Sequence, residues 1–219
     1  MKRLFLFIAA IFISYILPAQ DMVLMDPVSA RPFNSEKYSE VKGSPFLFDK
    51  WMGGIVTTSA GKYKVTGVKL DAYENTLFLN KKDEAFEFND EVVSFVLMPD
   101  VADSSSYLYF KKGFTGSGLE RRQFAQVLTE GNVSLIKSVI KMVSENNEIN
   151  HGVVKSFKTI TRYYVIKDNV VTLLKNNNKD VIALLSNQEE KIKAFIAQNK
   201  LAAKNDRDLV RIFTYYNSL

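Results

Sequence analysis

The sequence predicts an α+β fold, in which an antiparallel β-sheet or a partly open barrel is followed by a C-terminal helical unit. Three observations lead to this prediction. Short β-prone runs fill most of the chain from Trp51 to Leu174. Turn residues, many of them glycine or asparagine, join neighbouring runs closely enough for antiparallel hairpins. After residue 178 the apolar residues recur at helical spacing instead.

The N-terminus has the layout of a secretory signal peptide. Lys2 and Arg3 form a short basic region, an apolar run covers residues 4–17, and Pro18 and Ala19 end it. A membrane-spanning helix needs roughly 20 apolar residues, so an uncleaved anchor is the weaker alternative. We therefore expect export to the periplasm or the extracellular space, cleavage after Ala19, and no transmembrane span once the signal is removed.

Composition and motifs exclude several familiar chemistries. The sequence contains no cysteine, which rules out disulfides, thiol catalysis and cysteine metal sites. Its only histidine is His151, whereas catalytic triads and most transition-metal sites use histidine. The glycine-rich stretch at 113–118 is followed by Leu119, where a phosphate-binding loop requires lysine and then serine or threonine. This stretch is therefore interpreted as a flexible connection, and no cofactor or metal is predicted.

Residues 1–19 are thus the signal peptide, and residues 20–42 form a polar, proline-punctuated lead-in that we expect to be extended. The antiparallel β domain is predicted over residues 43–175. Within it, Ser59-Ala60-Gly61 predicts a turn between two strands. The apolar residues change phase at Gly67, which is what a β-bulge produces.

The strands continue toward the middle of the chain. Asn75 predicts a turn into the next strand, and Phe86 and Phe88 alternate with acidic residues in another. The run Val92–Met98 is mostly apolar on both faces, which indicates a central strand.

Two structures fit the stretch from residue 122 to residue 145. Several of its apolar residues fall at helical spacing: Leu135, Ile136, Val139, Ile140 and Val143. However, its neighbours are strands and Gly131-Asn132 is typical of a hairpin turn, so strands are preferred. Further along, Lys167-Asp168-Asn169 predicts another hairpin.

The C-terminal part, residues 178–219, is predicted to form helices that pack on the β domain. A short helical turn is expected at 181–185. Ser186 and Glu189 then have the spacing of a capping box that opens a longer helix. Asp206 is expected to cap the last helix, because an amphipathic apolar pattern follows it.

Two motifs mark the ends of the mature chain. Near its start, a Gly-Ser-Pro segment precedes Trp51, a G-x-V-x-x-x-x-G-x-Y hairpin spans 54–63, and a K-x-D-x-Y-x-N-x-L strand pair spans 69–77. At its end, paired helices finish near Tyr-Tyr-Asn at 215–217. In these features the chain resembles an uncharacterised family of exported proteins common in Bacteroidota. The resemblance implies export and the fold and favours strands over 122–145, and it supports these more than any activity.

Trp51, the only tryptophan, is the first candidate for a ligand contact, as a stacking platform for a sugar or another planar molecule. The preferred alternative is a structural anchor for the first hairpin, with Phe46 and Phe48 beside it in the core. Pro45 would then set the entry to the hairpin.

Acidic residues near this hairpin are the next candidates. Asp49, Asp71 and Glu74 could supply the two carboxylates that glycoside hydrolysis requires. Asp71 and Glu74 flank a turn, however, where acidic side chains are ordinary. The candidate ligand-binding residues are Trp51, Asp49, Asp71 and Tyr73, and no residue is predicted to be catalytic.

The sequence therefore predicts a non-enzymatic binding or structural module of the cell envelope, whose partner is an unknown envelope protein or a small ligand. One alternative is a carrier that holds a small apolar ligand between sheet and helices. Another is a carboxylate-dependent hydrolase of envelope glycans. The net charge of +5 falls to +3 when Lys2 and Arg3 leave with the signal, and the remaining basic residues are dispersed, so no nucleic-acid partner is expected.

We predict that the mature protein recovered from its host begins at Gln20 and fractionates with soluble exported proteins. N-terminal sequencing of the fractionated protein checks this expectation. An intact N-terminus in the membrane pellet would contradict it.

Overall fold

The computed structural model describes residues 28–148 and 152–219. The predicted signal peptide, its cleavage site, the start of the lead-in and His151 lie outside these residues. The described residues form an α+β fold, as the sequence predicts, with one large open sheet followed by helices. The strands are β1 (Val28–Pro32), β2 (Val41–Lys42), β3 (Met52–Thr58), β4 (Lys62–Asp71), β5 (Thr76–Lys81), β6 (Glu84–Phe88), β7 (Val92–Met98), β8 (Leu108–Lys111), β9 (Ala125–Thr129), β10 (Val133–Glu148), β11 (Gly152–Lys167) and β12 (Val170–Leu174).

The helices follow the last strand. They are α1 (Asn178–Leu184), α2 (Glu189–Gln198) and α3 (Asp206–Asn217). Short 3-10 turns occur at Ser35–Tyr38, Ser104–Ser106 and Ser186–Gln188. Across residues 28–148 and 152–219, no helix is both long and apolar enough to cross a membrane.

The sheet has the strand order β1-β6-β5-β4-β3-β7-β8-β9-β10-β11-β12, and every pairing along this path is antiparallel. In addition, β2 pairs in parallel with β11. The path does not return to β1, so the sheet stays open rather than closing into a barrel. The lead-in from residue 28 onward is part of this sheet, because it supplies β1 and β2.

The hairpin of β3 and β4 confirms the predicted turn and the predicted bulge. Thr58 closes the turn, since its hydroxyl oxygen accepts hydrogen bonds from the backbone N–H groups of Ala60 and Gly61, both at 3.2 Å. Met52 pairs with Val68 but Gly54 pairs with Val65, so β4 carries one extra residue at the bulge.

Close packing in this half of the sheet requires a glycine at position 54. A Cβ atom there would lie 2.6 Å from the carbonyl oxygen of Val96 on the neighbouring strand β7. As the sequence predicts, β7 is central, with β3 on one side and β8 on the other. It contributes Phe95 and Leu97 to a buried cluster with Val56 and Phe110.

The stretch from 122 to 145 is strand, as preferred, and the helical alternative is wrong. Its two strands, β9 and β10, are joined at Gly131-Asn132, and β10 pairs with β11 along its whole length. Leu135 packs under the helices, whereas its neighbour Ile136 packs on the opposite face with Ala125. Because both faces are covered here, the apolar residues run consecutively, and this pattern imitates helical spacing.

The glycine-rich connection between β8 and β9 covers that opposite face. Gly116 approaches β12 so closely that a Cβ would lie 3.2 Å from the carbonyl oxygen of Val171. Ser117 then donates a hydrogen bond from its hydroxyl to the same carbonyl oxygen, at 3.0 Å. The connection therefore protects part of the exposed edge of β12.

The helices pack on the other face of β10, β11 and β12. The buried side chains of this layer are Val133, Leu135, Tyr163, Val165, Leu174, Val181, Leu185, Ile192, Ile196, Leu201, Ala203, Leu209, Ile212, Phe213 and Tyr216. The start of α2 differs from the prediction. α2 begins at Glu189 without a side-chain cap, because Ser186 starts a 3-10 turn instead of a capping box.

Asp206 is not the cap of α3. The cap is Asn205, whose side-chain oxygen accepts a hydrogen bond from the N–H of Asp208 at 2.9 Å. Asp206 is the first helical residue, and its carboxylate binds Lys137 at 2.5 Å and the Tyr163 hydroxyl at 2.6 Å. Asp206 thereby links the start of α3 to the sheet. Burial, together with the hydrogen bond to this carboxylate, raises the pKa of Tyr163.

Asn217, at the end of α3, forms a second hydrogen-bonded link between the helix and the sheet. Its side-chain oxygen accepts from the N–H of Val133 at 3.0 Å, and its amide nitrogen donates to the Val133 carbonyl at 2.8 Å. The side chain thus pairs with β10 as a strand would. Gly131 leaves room for it, since a Cβ there would lie 2.6 Å from the Asn217 amide.

We predict that Asn217→Ala lowers the free energy of unfolding by about 2 kcal/mol, because it leaves both backbone groups of buried Val133 without their partners. Chemical denaturation measures the change. Asn176→Ala, at an exposed position of the same residue type, is the control and should change stability by less than about 0.5 kcal/mol. Equal denaturation midpoints for the two variants would contradict the role of Asn217 in linking α3 to β10.

Candidate functional site

An open groove of about 570 Å³ lies where three parts of the fold meet. One wall is the turn between β4 and β5, a second is the end of the β8–β9 connection, and the third is the middle of β10 and β11. We call it the turn–ribbon groove. Its lining residues are Ala72, Tyr73, Glu74, Asn75, Thr76, Gly118, Glu120, Arg122, Gln123, Ile140, Lys141 and Arg162.

A buried carboxylate shapes the first wall. Asp71 is fully buried, and one of its oxygens accepts hydrogen bonds from the N–H groups of Tyr73 at 2.8 Å and Glu74 at 2.9 Å. Its other oxygen accepts from the Tyr38 hydroxyl at 2.8 Å. Burial raises the pKa of Asp71, and these hydrogen bonds oppose the rise. The sequence predicted Asp71 to be a ligand contact. In the structure, however, both oxygens of its carboxylate already accept hydrogen bonds from the protein.

Asn75 joins the first wall to the second. It has a φ of 60°, as the turn requires, and asparagine tolerates this left-handed conformation better than most residues. Its amide nitrogen donates to the carbonyl of Arg122 at 2.6 Å, and its side-chain oxygen accepts from the N–H of Phe124 at 2.9 Å. The turn and the connection are therefore held at a fixed separation.

Two more hydrogen bonds join these walls to β10. The backbone N–H of Lys141 donates to the carbonyl of Ala72 at 3.0 Å. The side-chain amide of Gln123 donates to the hydroxyl of Ser138, which is buried, at 3.0 Å. All three walls are thus connected to one another, and the groove is a preformed feature of the fold.

Tyr73, one of the lining residues of the groove, is only partly covered by the rest of the protein. Its side chain is 43% exposed. The ring makes edge contacts with Tyr38 and Phe157, with centroid separations of 5.8 Å and 5.4 Å. Those two rings lie 5.4 Å apart, so Tyr73 completes a cluster of three. The cluster fixes the ring without covering it.

The charges that line the groove differ in whether they are paired. Glu74 forms an ion pair with Lys37, and Glu120 pairs with Arg122 at 2.9 Å. The side chains of Lys141 and Arg162 make no ion pair or hydrogen bond with any residue that the structure describes. Two of the lining residues are therefore cations without an ion pair among the described residues, and the β10–β11 register starts their side chains from opposite faces of the ribbon.

Trp51 and Asp49, the other predicted contacts, lie outside the groove. The ammonium group of Lys69 lies between two rings, 4.7 Å from the centroid of Trp51 and 4.8 Å from that of Phe46. It also donates to the backbone carbonyl of Asp49 at 2.6 Å. Burial lowers the pKa of Lys69. An internal cation thus occupies one face of Trp51, which favours the anchoring interpretation.

The expected core position of Phe48 is wrong. Phe48 is 37% exposed, and Trp51 and Phe46 are only partly buried. Phe46 forms an isolated bridge with Asp71 at the end of β4, but residues 47–50 form bends, and the Phe48 side chain is left exposed.

The structure thus brings together Asp71 and Tyr73 but places Asp49 and Trp51 elsewhere. Lys141, Arg162 and Gln123 were missed as site residues. Lys141 and Arg162 belong to a long β-ribbon and carry no motif. Among the described residues, no cluster of histidine, cysteine, aspartate or glutamate is suited to hold a metal ion.

No protein-family model, curated protein or solved structure matches this chain. The resemblance of its two ends to exported proteins of Bacteroidota accordingly stays a prediction.

We predict that Asp71→Asn changes how stability depends on pH. Because the pKa of Asp71 is raised in the folded state, the folded protein holds this proton more tightly than the unfolded chain. The resulting stabilisation is complete below the ordinary value near pH 4 and is lost as pH rises through the folded pKa. The wild-type protein should therefore lose stability relative to Asp71→Asn as pH rises above about 4.

Denaturant unfolding at several pH values measures this difference. Asp168→Asn, at an exposed hairpin turn, controls for the loss of one carboxyl group. A stability difference between wild type and Asp71→Asn that is constant with pH would contradict the prediction.

Proposed function

We propose that this protein is an exported component of the cell envelope that binds a ligand in the turn–ribbon groove without chemical turnover. The observation that carries the proposal is the preformed groove itself, whose three walls are joined by hydrogen bonds within the protein. A preformed site favours binding because little conformational entropy is lost when the ligand arrives. The predicted signal peptide supports export.

The lining favours a polar ligand. The hydroxyl groups of Tyr73 and Thr76 and the side-chain oxygen of Gln123 form no hydrogen bond with the part of the chain that the structure describes. Together with the charged residues of the lining, they offer directional contacts to a polar ligand. Ligand sites commonly combine an apolar surface with a few polar groups in this way.

The two alternative functions have less support from the geometry. A carrier would hold its apolar ligand between sheet and helices, but fifteen buried side chains pack together in that layer. A hydrolase would need two accessible carboxylates. Asp71 is buried, and Asp49 lies outside the groove. The two carboxylates that do line the groove, Glu74 and Glu120, are each held in an ion pair, with Lys37 and Arg122.

Soluble saccharides released from the host envelope, separated into neutral and acidic pools, test the proposal. At least one pool should raise the melting temperature of the purified protein by a few degrees, because a ligand at about 100 times its Kd stabilises by about 2.7 kcal/mol. Tyr73→Ala should abolish the shift, whereas Tyr109→Ala, a partly buried tyrosine outside the groove, should retain it. The saccharide should be recovered chemically intact.

Three results would count against this function. They are the absence of any shift with either pool, an undiminished shift in Tyr73→Ala, and recovery of a shortened saccharide. The last result would favour the hydrolase alternative.

A further inference from the structure

We propose that one face of the sheet at β3, β7 and β8 is a docking surface for a second copy of this chain. It is the face turned away from the buried cluster of Val56, Phe95 and Phe110, and we call it the outer face. The two copies meet across a two-fold axis, with the strand ends of one copy over the opposite strand ends of the other. This inference goes beyond the proposed function and does not depend on the turn–ribbon groove.

An apolar row crosses the middle of the outer face. Ile55 pairs with Val96, and Val96 pairs with Tyr109. Directly opposite residues of antiparallel strands lie on the same face, so these three side chains stand side by side. All three are only partly buried, and none of them belongs to a buried cluster of the described residues. The row is therefore apolar surface that remains accessible to a partner.

One end of the outer face is basic. Two residues beyond Ile55, Thr57 pairs with Ser94, and Ser94 pairs with Lys111 on β8. Lys111 is exposed and forms no ion pair or hydrogen bond with any residue that the structure describes. This end therefore carries a cation whose countercharge is missing.

Two further lysines extend the rows on the neighbouring strand. Lys62 pairs with Thr57 and Lys64 pairs with Ile55, both from β4, and both lysines are exposed. They lie at the margin of the outer face, where a long side chain can keep its ammonium group in water. The docking does not require a partner for them.

The connection from β7 to β8 folds over the other end of the outer face. Gly53 lies two residues before Ile55 and so shares its face. A Cβ atom on Gly53 would lie 3.7 Å from Cγ2 of Val101 in the connection. The Tyr107 hydroxyl donates to the Val101 carbonyl at 2.9 Å, and the Val101 side chain is 62% exposed. The connection thus adds apolar surface beside the row.

This connection also makes that end acidic. Asp100 and Asp103 are exposed, and their carboxylates accept hydrogen bonds only from groups of the connection itself. Neither forms an ion pair with a residue that the structure describes. The four residues from Gly53 to Thr57 span about 13 Å of strand, so the acidic and basic ends are well separated within one copy.

Opposite charges at its two ends make the outer face complementary to itself. A two-fold interface uses the same patch on both copies, and every contact occurs twice. With the axis along the apolar row, each residue of the row meets its own counterpart. Lys111 of each copy then approaches Asp100 and Asp103 of the other. The connection leads into β8, which carries Lys111, so these charges lie on the same side of the face.

The charge distribution disfavours a uniformly anionic partner. Anionic lipids attract clusters of lysine and arginine, and acidic residues beside such a cluster oppose this attraction. Here Asp100 and Asp103 occupy one end of the outer face. A second copy satisfies both ends at once.

The size of the outer face predicts a weak dimer. It spans three strands about 4.8 Å apart and about 13 Å of strand, together with the connection. A standard interface covers about 800 Å² on each partner, which is larger than this face. The two copies should therefore exchange rapidly, and the dimer fraction should depend on protein concentration.

Sedimentation equilibrium over a wide range of protein concentrations tests the proposal. The purified protein should show a reversible monomer–dimer equilibrium. Val96→Asp should abolish the dimer, because it places two carboxylates against each other at the axis. Val153→Asp, at an exposed valine on β11, is the matched control and should retain it. Cooperative melting of both variants would show that the loss is not caused by unfolding.

Charge reversal tests how the two copies are oriented. Lys111→Glu alone and Asp100→Lys alone should each weaken the dimer by about tenfold, because each reversal acts twice in a two-fold dimer. The double variant Lys111→Glu/Asp100→Lys restores the attraction between the ends and should recover most of the affinity. Two merely structural effects would add instead of cancelling. Lys158→Glu, an exposed lysine on β11, should leave the dimer unchanged.

Chemical cross-linking locates the axis. The chain contains no cysteine, so a single introduced cysteine is the only thiol present. A short bifunctional maleimide should join two copies of Val96→Cys, because this position meets its own counterpart. It should not join two copies of Val153→Cys.

Several outcomes would overturn the proposal. A protein that stays monomeric at every concentration would do so. A dimer that Val96→Asp leaves intact would have its interface elsewhere. A double charge variant that dimerises no better than the single variants would contradict the orientation. A monomer that sediments with phosphatidylglycerol vesicles, and that Lys111→Glu releases from them, would assign the outer face to an anionic lipid surface instead.

Discussion

The base of the β10–β11 ribbon must be covered on both faces, and the rest of the structure is arranged around that requirement. Leu135 and Val165 point to one face and are covered by the helices. Ile136 and Tyr164 point to the other and are covered by the connection between β8 and β9. Neither cover is stable alone, because short helices are marginal in water and the connection is irregular. The ribbon therefore brings together parts of the chain that have few contacts otherwise.

The groove lies where β9 and the β8–β9 connection no longer cover the ribbon. Beyond Ser138 the ribbon continues without β9 beside it, and the turn after β4 approaches its free edge through the Lys141–Ala72 hydrogen bond. The buried carboxylate of Asp71 holds the turn in shape. The groove is therefore defined by backbone positions that the fold fixes, and its lining includes exposed side chains that the fold does not need.

Features that depend on a few neighbouring residues could be predicted from the sequence. The bulge at Gly67 shows as a phase change, and the Asn75 turn shows in a residue that tolerates positive φ. Features that depend on distant partners could not. Asn205 rather than Asp206 caps α3 because Asp206 is drawn to Lys137 and Tyr163 on the sheet.

The same distinction explains which residues of the candidate site could be predicted from the sequence. Tyr73 was recognisable within a motif, but the identity of its neighbours Tyr38 and Phe157 is set by pairing of distant strands. Lys141 and Arg162 are indistinguishable in sequence from other basic residues on strands. They differ from those residues only because they line a groove without an acidic partner among the described residues. This property exists only in the folded chain.

The parallel pairing of β2 with β11 has a consequence for folding. Val41 cannot find its partner Lys155 until almost the whole sheet has been synthesised, and Tyr38 cannot contact Phe157 earlier. Contacts between such distant parts of a chain slow folding, because loop closure must precede any gain. The segment around Tyr38 and Val41 thus reaches its final position only after β11 is available, although strands on both sides of it in the sequence can pair with nearer partners.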